Sequence, residues 1–203
     1  LNKKIKDPFF SIITVVKNDD KNIKKTISSV SKQTYKNFEY IIIDGNSRDR
    51  TLNVIVKNKK NVNYLLSEDD LGIYDAMNKG LRKSNGKFIV YLNSGDTFTK
   101  NALSFIYKKY SDNKTVDFIF GTVKRHYTKK TILKYGYNPS RINYNFDFAT
   151  SHSSGFFIKK KSFNKIGKFN IKYKCSADYD LYYKAIKKFK MIGSSTSKKK
   201  LVG

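Results

Sequence analysis

Phe38-Glu39-Tyr40-Ile41-Ile42-Ile43-Asp44-Gly45-Asn46-Ser47 is the stretch whose reading decides the fold class. Residues 38–43 form a short, nearly unbroken apolar run rich in β-branched side chains, as expected of a strand buried on both faces. The turn formers at 44–47 stop it and supply a cap for the next helix. That helix carries Leu52, Ile55 and Val56. Strand, turn and helix in succession are the repeating unit of a layered α/β domain with a largely parallel sheet.

The same unit recurs on both sides. Upstream, residues 9–16 read as a buried strand, followed by a helix that presents Ile23, Ile27 and Val30 on one face and takes Asp19 or Asp20 as its cap. Downstream, residues 62–66 read as a third strand. Residues 73–83 follow as a helix with Ile73, Met77 and Leu81 in register, then 87–92 as a fourth strand that ends at Asn93-Ser94-Gly95-Asp96. The second half is less regular. It reads as a helix at 102–110, a strand at 116–123 pairing as a hairpin with one at 131–137, and a loop at 144–154. A short apolar run at 155–158, a helical turn at 161–166 and an amphipathic helix at 178–189 complete it. The tail at 194–203 is polar, has no evident core to join, and reads as a flexible or truncated end.

The chain has 203 residues and is 39% hydrophobic, enough for a single domain in two lobes, 8–98 and 99–193. Lysine interrupts every apolar run well short of the roughly 20 residues a bilayer crossing needs. With no signal-peptide pattern behind Leu1, a cytoplasmic location is expected. One cysteine, Cys175, and two histidines, His126 and His152, exclude an internal disulfide and a structural zinc site. The formal charge of +26 draws polyanions of several kinds: nucleic acid, an anionic membrane face or phosphorylated small molecules. Most of the basic residues are scattered lysines, which ordinarily serve as a solvated surface.

The 16 acids are more informative, because they gather at strand ends. Asp44 ends the second strand, Glu68, Asp69 and Asp70 follow the third, and Asp96 follows the fourth. In a parallel sheet these ends share the edge where open α/β proteins bind ligands. Converging carboxylates repel one another unless a cation or a donor compensates them. A divalent metal, Mn²⁺ or Mg²⁺, held by one or two carboxylates and a substrate diphosphate meets that need. Taken alone, Asp44 reads equally well as an Asp-Gly turn, Asp96 as a helix cap, and Asp178 and Asp180 as first-turn residues of a helix. Taken together, the acids suit transfer of a group from a nucleotide diphosphate, with Asp178 as general base.

Six segments resemble one family in this order and spacing: S-I-I-T-V-V-K-N from Ser11, S-V-S-K-Q-T-Y from Ser29, Y-I-I-I-D-G-N-S-R-D-R-T from Tyr40, S-E-D-D-L-G-I-Y-D-A-M-N-K-G from Ser67, F-I-V-Y-L-N-S-G-D from Phe88 and S-A-D-Y-D-L from Ser176. They are similar to the family 2 glycosyltransferases of GT-A fold, especially bacterial enzymes of polysaccharide and lipopolysaccharide assembly. The resemblance implies a Rossmann-like nucleotide-binding half, a mixed-sheet acceptor half, and inverting transfer of a sugar from a nucleotide-diphosphate sugar, a UDP-sugar by preference. The acceptor would be a glycan or a lipid-linked molecule, and an anionic membrane surface a further partner of a peripheral enzyme. Position by position, Val16 and Asn18 would lie beside the base, with Asp44 bonding to it and Asn46 and Ser47 nearby. Glu68, Asp70, Gly72, Tyr74, Asp75 and Asn78 would shape the donor pocket. Asn93, Ser94 and Asp96 stand where the family has its metal-binding D-x-D segment, His152 where a side chain approaches the diphosphate or acceptor, and Asp178 where it has the base. The chain departs from the family at Asn93, Gly95 and Ala177, which replace residues that are often acidic, leaving Asp96 as the only carboxylate of the metal segment. A nucleotidyltransferase on a similar fold and a basic nucleic-acid-binding module are the alternatives. The first lacks a Gly/Lys phosphate loop after Val16, and the second predicts no gathering of acids.

Overall fold

The structure, a computed structural model, describes residues 5–143, 148–149 and 152–203. The first half alternates strand and helix: β1 Phe10–Val16, α1 Ile23–Ser31, β2 Phe38–Asp44, α2 Thr51–Lys57, β3 Tyr64–Ser67, α3 Ile73–Lys83 and β4 Phe88–Tyr91. Then come α4 Ala102–Asp112, β5 Phe118–Phe120, β6 Val123–His126, β7 Thr131–Lys134, β8 Phe156–Lys159, α5 Lys160–Ile166, α6 Ala177–Tyr183 and β9 Gly193–Ser195. Seven strands form one sheet in the order β3-β2-β1-β4-β8-β5-β9. The first four are parallel to one another, β8 runs antiparallel to both β4 and β5, and β9 is parallel to β5. The sheet is thus parallel where nucleotide binding is expected and mixed beyond it.

Alternation along the strands divides the core between the two faces. Ile13, Val15, Ile41 and Ile43 pack on one face with Met77 and Leu81 of α3 and Leu181 of α6. Phe10, Ile12, Tyr40 and Ile42 pack on the other with Ile23 and Ile27 of α1, Ile55 of α2, and Leu103 and Ile106 of α4. Helices cover both faces, so β1 and β2 are buried along almost their whole length. This is why they read as unbroken apolar runs in the sequence. Among the described residues no helix is long and apolar enough to cross a membrane.

The structure corrects several sequence expectations in the second half. The run at 116–123 is two strands, not one. β5 enters the main sheet, and β6 leaves it to form the hairpin with β7. The break falls at Gly121, where a Cβ atom would lie 2.3 Å from Cγ2 of Val202. Val202 also corrects the expectation of a loose tail. It is fully buried, its N–H donates to the Thr122 carbonyl at 2.7 Å and its own carbonyl accepts from Thr99 N–H at 2.9 Å. With β9 added to the sheet and Thr196 buried as well, the stretch 193–203 is tied to the domain at both ends, while residues 197–200 between them are exposed. The long helix expected at 178–189 is α6 followed by a π-turn at Lys184–Lys188, where Phe189 N–H donates to the Lys184 carbonyl. Of the loop expected at 144–154, residues 144–147 and 150–151 lie outside the described residues. In the remainder, Phe148 is buried, Ala149 bridges to Tyr137, and a 3-10 turn spans Ser153–Gly155.

Candidate active site

The sheet order places the topological switch between β1 and β4, and ligands of open α/β sheets bind outside the strand ends at such a point. Three cavities lie there in series. One of about 220 Å³ is bounded by Val16, Lys17, Asp70, Gly72 and Ile73. Its neighbour, of about 240 Å³, shares Ile73 and is lined by Tyr74, Asn93, Arg125, His152 and Asp178 among others. The third, of about 650 Å³, shares Arg125 and His152 with the second and adds Asp96 and Lys25.

On the strand-2 side the acids are already engaged. Asp44 is fully buried, and its carboxylate accepts from Ser47 Oγ at 2.5 Å, Ser47 N–H at 3.1 Å and Ser67 Oγ at 2.7 Å. Ser47 Oγ in turn accepts from Asn18 N–H at 2.8 Å, and Asn18 Oδ1 accepts from Arg48 N–H at 2.8 Å. Asn18 and Asn46 both hold left-handed backbone, with φ of 52° and 57°, which asparagine tolerates better than most residues. Asp44 therefore knits the loops after β1, β2 and β3 together. Asp70 accepts from Gly72 N–H at 2.9 Å, and its other carboxylate oxygen lies 2.2 Å from where a Cβ of Gly45 would be, so a larger residue there would push the Asp70 carboxylate aside. Lys79 is buried and reaches Glu68 at 2.9 Å and Asp75 at 3.6 Å. Asn46 contacts Asp69 at 3.3 Å.

The strand-4 side carries the groups that face open space. Asp96 is not a helix cap: the N-cap of α4 is Asn101, with no side-chain cap bond. Its carboxylate lies 3.8 Å from Nδ1 of His152, with no hydrogen bond between them. Burial pushes the Asp96 carboxyl above its ordinary value, and His152, Arg125 and Lys25 draw it back. Burial likewise lowers His152, opposed by Asp96. Asn93 Oδ1 is buried with no hydrogen-bond partner among the described residues. Ser94 turns away, its Oγ donating to Asp19 at 2.6 Å. Asp19 is thus spent on Ser94 and Asn22 rather than on capping α1, whose N-cap is Asn22 without a side-chain bond.

Asp178 sits in the first turn of α6, across the middle cavity from His152. Asp180, its companion in sequence, is paired with Lys184 at 2.6 Å. Two contacts tie α3 to this region. Tyr74 Oη accepts from Ala177 N–H at 3.1 Å, and the Asn78 amide both donates to and accepts from the Phe169 backbone, in the segment before α6, at 2.9 and 3.0 Å. Tyr74 thus holds the start of the helix that carries Asp178. Burial and the nearby Asp178 carboxylate together raise the Tyr74 and Tyr182 hydroxyls above their ordinary value.

Sequence reasoning passed over Arg125. It lines both cavities that flank His152, and its charge acts on Asp96 and His152. The signal was its rarity, as one of five arginines in a lysine-rich chain, two residues after Val123 on β6.

A three-layer α/β domain with this sheet order and a ligand edge at the β1/β4 switch has the GT-A glycosyltransferase architecture. S. aureus TarS in complex with UDP matches 87% of this chain and 54% of its own, with a TM-score of 0.71 at 21% identity. The mannosyltransferase PcManGT from Pyrobaculum calidifontis, solved with GDP-Man and Mn²⁺, matches 97% of this chain and 56% of its own, with a TM-score of 0.73 at 16% identity. The chain belongs to the glycosyl transferase family 2, whose family model matches residues 11–176. A PGL/p-HBAD biosynthesis glycosyltransferase of Mycobacterium tuberculosis is 26% identical over 179 residues, 85% of this chain and 68% of its own length. An uncharacterized glycosyltransferase of Rickettsia prowazekii is 29% identical over 194 residues, 91% of this chain and 60% of its own. The chain therefore spans about two thirds of these relatives and about half of the solved chains named above. The family decides for a glycosyltransferase over the nucleic-acid-binding and nucleotidyltransferase alternatives.

Proposed function

We propose that this domain transfers a sugar, with inversion, from a nucleotide-diphosphate sugar to an acceptor hydroxyl on a glycan or lipid-linked molecule of bacterial surface-polysaccharide synthesis. The observation that carries this reading is the middle cavity, lined by both Asp178 and His152, with Asp96 in the adjoining cavity 3.8 Å from His152. The base lies by Val16, Asp70 and Gly72, behind the turn that Asp44 holds through Ser47 and Asn18. The acceptor oxygen attacks the anomeric carbon from the side opposite the leaving group. As the new C–O bond forms, the bond to the diphosphate oxygen breaks, and Asp178 takes the hydroxyl proton. The nucleoside diphosphate leaves with its charge facing Arg125.

Among the described residues no three His, Cys, Asp or Glu side chains form a ready metal site. The Asp96 carboxylate, with the partnerless Asn93 oxygen in the adjoining cavity, suits an ion whose coordination phosphate oxygens complete. Mn²⁺ or Mg²⁺ would be held by Asp96 and would supply positive charge to the leaving diphosphate. PcManGT was solved with Mn²⁺, which supports the same choice here. A UDP donor is favoured because TarS was solved with UDP and with UDP-GlcNAc.

A thermal-shift series with UDP-, GDP- and dTDP-sugars, each with and without Mn²⁺, tests the donor. Stabilisation by one nucleotide family, enhanced by Mn²⁺ and lost in Asp96→Ala, is expected. Stabilisation by none would sink the proposal.

A further inference from the structure

The middle cavity is walled largely by apolar groups: the rings of Tyr74, Tyr91, Phe156 and Phe169, with Met77 and Leu181, enclose much of its 240 Å³ beside Asp178. A sugar hydroxyl set against such walls leaves water and gains no partner, so the walls oppose a sugar that offers hydroxyls alone. Two of the tyrosine hydroxyls are already engaged. Tyr91 Oη donates to the Met77 carbonyl at 3.2 Å, and Tyr74 Oη accepts from Ala177 N–H at 3.1 Å.

Tyr182 differs from both. It is only 2% exposed, its ring packs against Phe120, Phe148 and Phe156, and its hydroxyl makes no hydrogen bond with any described residue. Burial acts on that hydroxyl first, and after it come Asp178, Arg125 and Tyr74, which line the cavity, so the oxygen lies on the cavity side of the ring. A phenylalanine would fill the same space among the three rings without desolvating an oxygen. The hydroxyl is thus retained at a cost that a ligand can offset. Asn93 Oδ1 is the second such atom on this cavity, buried and partnerless among the described residues. A carbonyl oxygen has two lone pairs, so an ion in the adjoining cavity leaves one of them for a donor here.

We propose that the transferred sugar carries an acetamido group, and that Tyr182 and Asn93 recognise it. The inference rests on the glycosyltransferase reading above and adds the class of sugar to it. An acetamido group offers one carbonyl oxygen, one N–H and one methyl. The cavity offers their complements: the Tyr182 hydroxyl donates to the carbonyl, Asn93 Oδ1 accepts from the N–H, and the methyl meets the apolar wall. A deoxy sugar would suit the wall but leave both polar atoms unmatched. An unsubstituted hexose would match them only by burying further hydroxyls against the rings.

Calorimetry on the whole chain with Mn²⁺ tests this, with UDP as the sugar-free reference. UDP-glucose is compared with UDP-N-acetylglucosamine, UDP-galactose with UDP-N-acetylgalactosamine, and dTDP-glucose with dTDP-rhamnose for the deoxy alternative. At least one acetamido donor should bind about 10-fold or more tightly than its hexose counterpart, from two hydrogen bonds and one buried methyl. Tyr182→Phe keeps the ring and removes one donor. It should shrink that ratio about 2–10-fold while UDP affinity holds, whereas a merely structural tyrosine would change stability and leave the ratio alone. Tyr40→Phe removes a buried hydroxyl bonded to Thr14 at 2.9 Å on the other face of the sheet, and should leave the ratio as it was. Equal affinity for both acetamido donors and their hexoses overturns the proposal, as does an unchanged ratio in Tyr182→Phe. A gain for dTDP-rhamnose with none for the acetamido donors assigns a deoxy sugar and overturns it too. If UDP itself does not bind, the donor reading beneath fails, and the proposal falls with it.

Discussion

The two halves of the domain treat their polar residues in opposite ways. On the β2 and β3 side of the parallel half, the acids at the strand ends are satisfied internally: Asp44 by two serines, Glu68 and Asp75 by Lys79, Asp70 by a backbone N–H. In the mixed half, Asp178 and His152 line open cavities, as does Arg125. The first half builds a fixed platform, and the second brings groups with reactive potential up to it. A preorganised platform lowers the cost of ordering loops around a ligand, whereas a proton acceptor has to remain free to change its protonation state.

If this division is right, substitutions in the two halves should fail differently. Asp178→Asn should lower turnover by about 10²–10⁴-fold, the usual contribution of a general base, while nucleotide affinity by calorimetry stays within twofold. Near-normal transfer would remove Asp178 from the role. Phe120→Ala is the structural counterpart in the same half. Its ring is fully buried against Phe156, Phe148 and Tyr182, and its loss should cost about 3–5 kcal/mol in denaturant unfolding. Asp44→Asn should cost about 1–3 kcal/mol, because it sets an amide N–H₂ against serine donors in a buried site. Donor affinity should fall with it, while turnover at saturating donor holds. A fall in turnover alone would erase the contrast between the halves. The smallest effect is expected for Ser67→Ala, which removes one of several bonds to Asp44: about 0.5–1.5 kcal/mol, read in the same unfolding assay.

How far the sequence could be read follows the same line. β1, β2 and α3 were legible because both faces of the sheet are covered, so each strand is a continuous apolar run and α3 keeps a strict apolar face. β9 was not legible. Gly193-Ser194-Ser195 has no apolar run, and it joins the sheet through backbone pairing with β5, helped by Val202 from further along the chain. The split between β5 and β6 depends on the contact of Gly121 with that same Val202, 81 residues away in sequence by their numbering. Among candidate site residues, the strand-end acids were found by position. Their partners were not, since the bonds of Asp44 to Ser67 and of Asp19 to Ser94 cross between loops. Arg125 was missed because nothing local separates a cavity arginine from a surface one.

Helix α3 lies in the first half by sequence, yet Tyr74 and Asn78 on it grip Ala177 and Phe169 of the second. It is the spacer that sets how far Asp178 stands from the loops after β1 and β2. In terms of recombination between relatives, the transferable unit is therefore α3 together with α6. A chimera joined in the loop between β3 and α3 would carry this spacer along with the acceptor half it serves. One joined after β4 would separate the spacer from Asp178 and leave that residue at the mercy of a foreign interface.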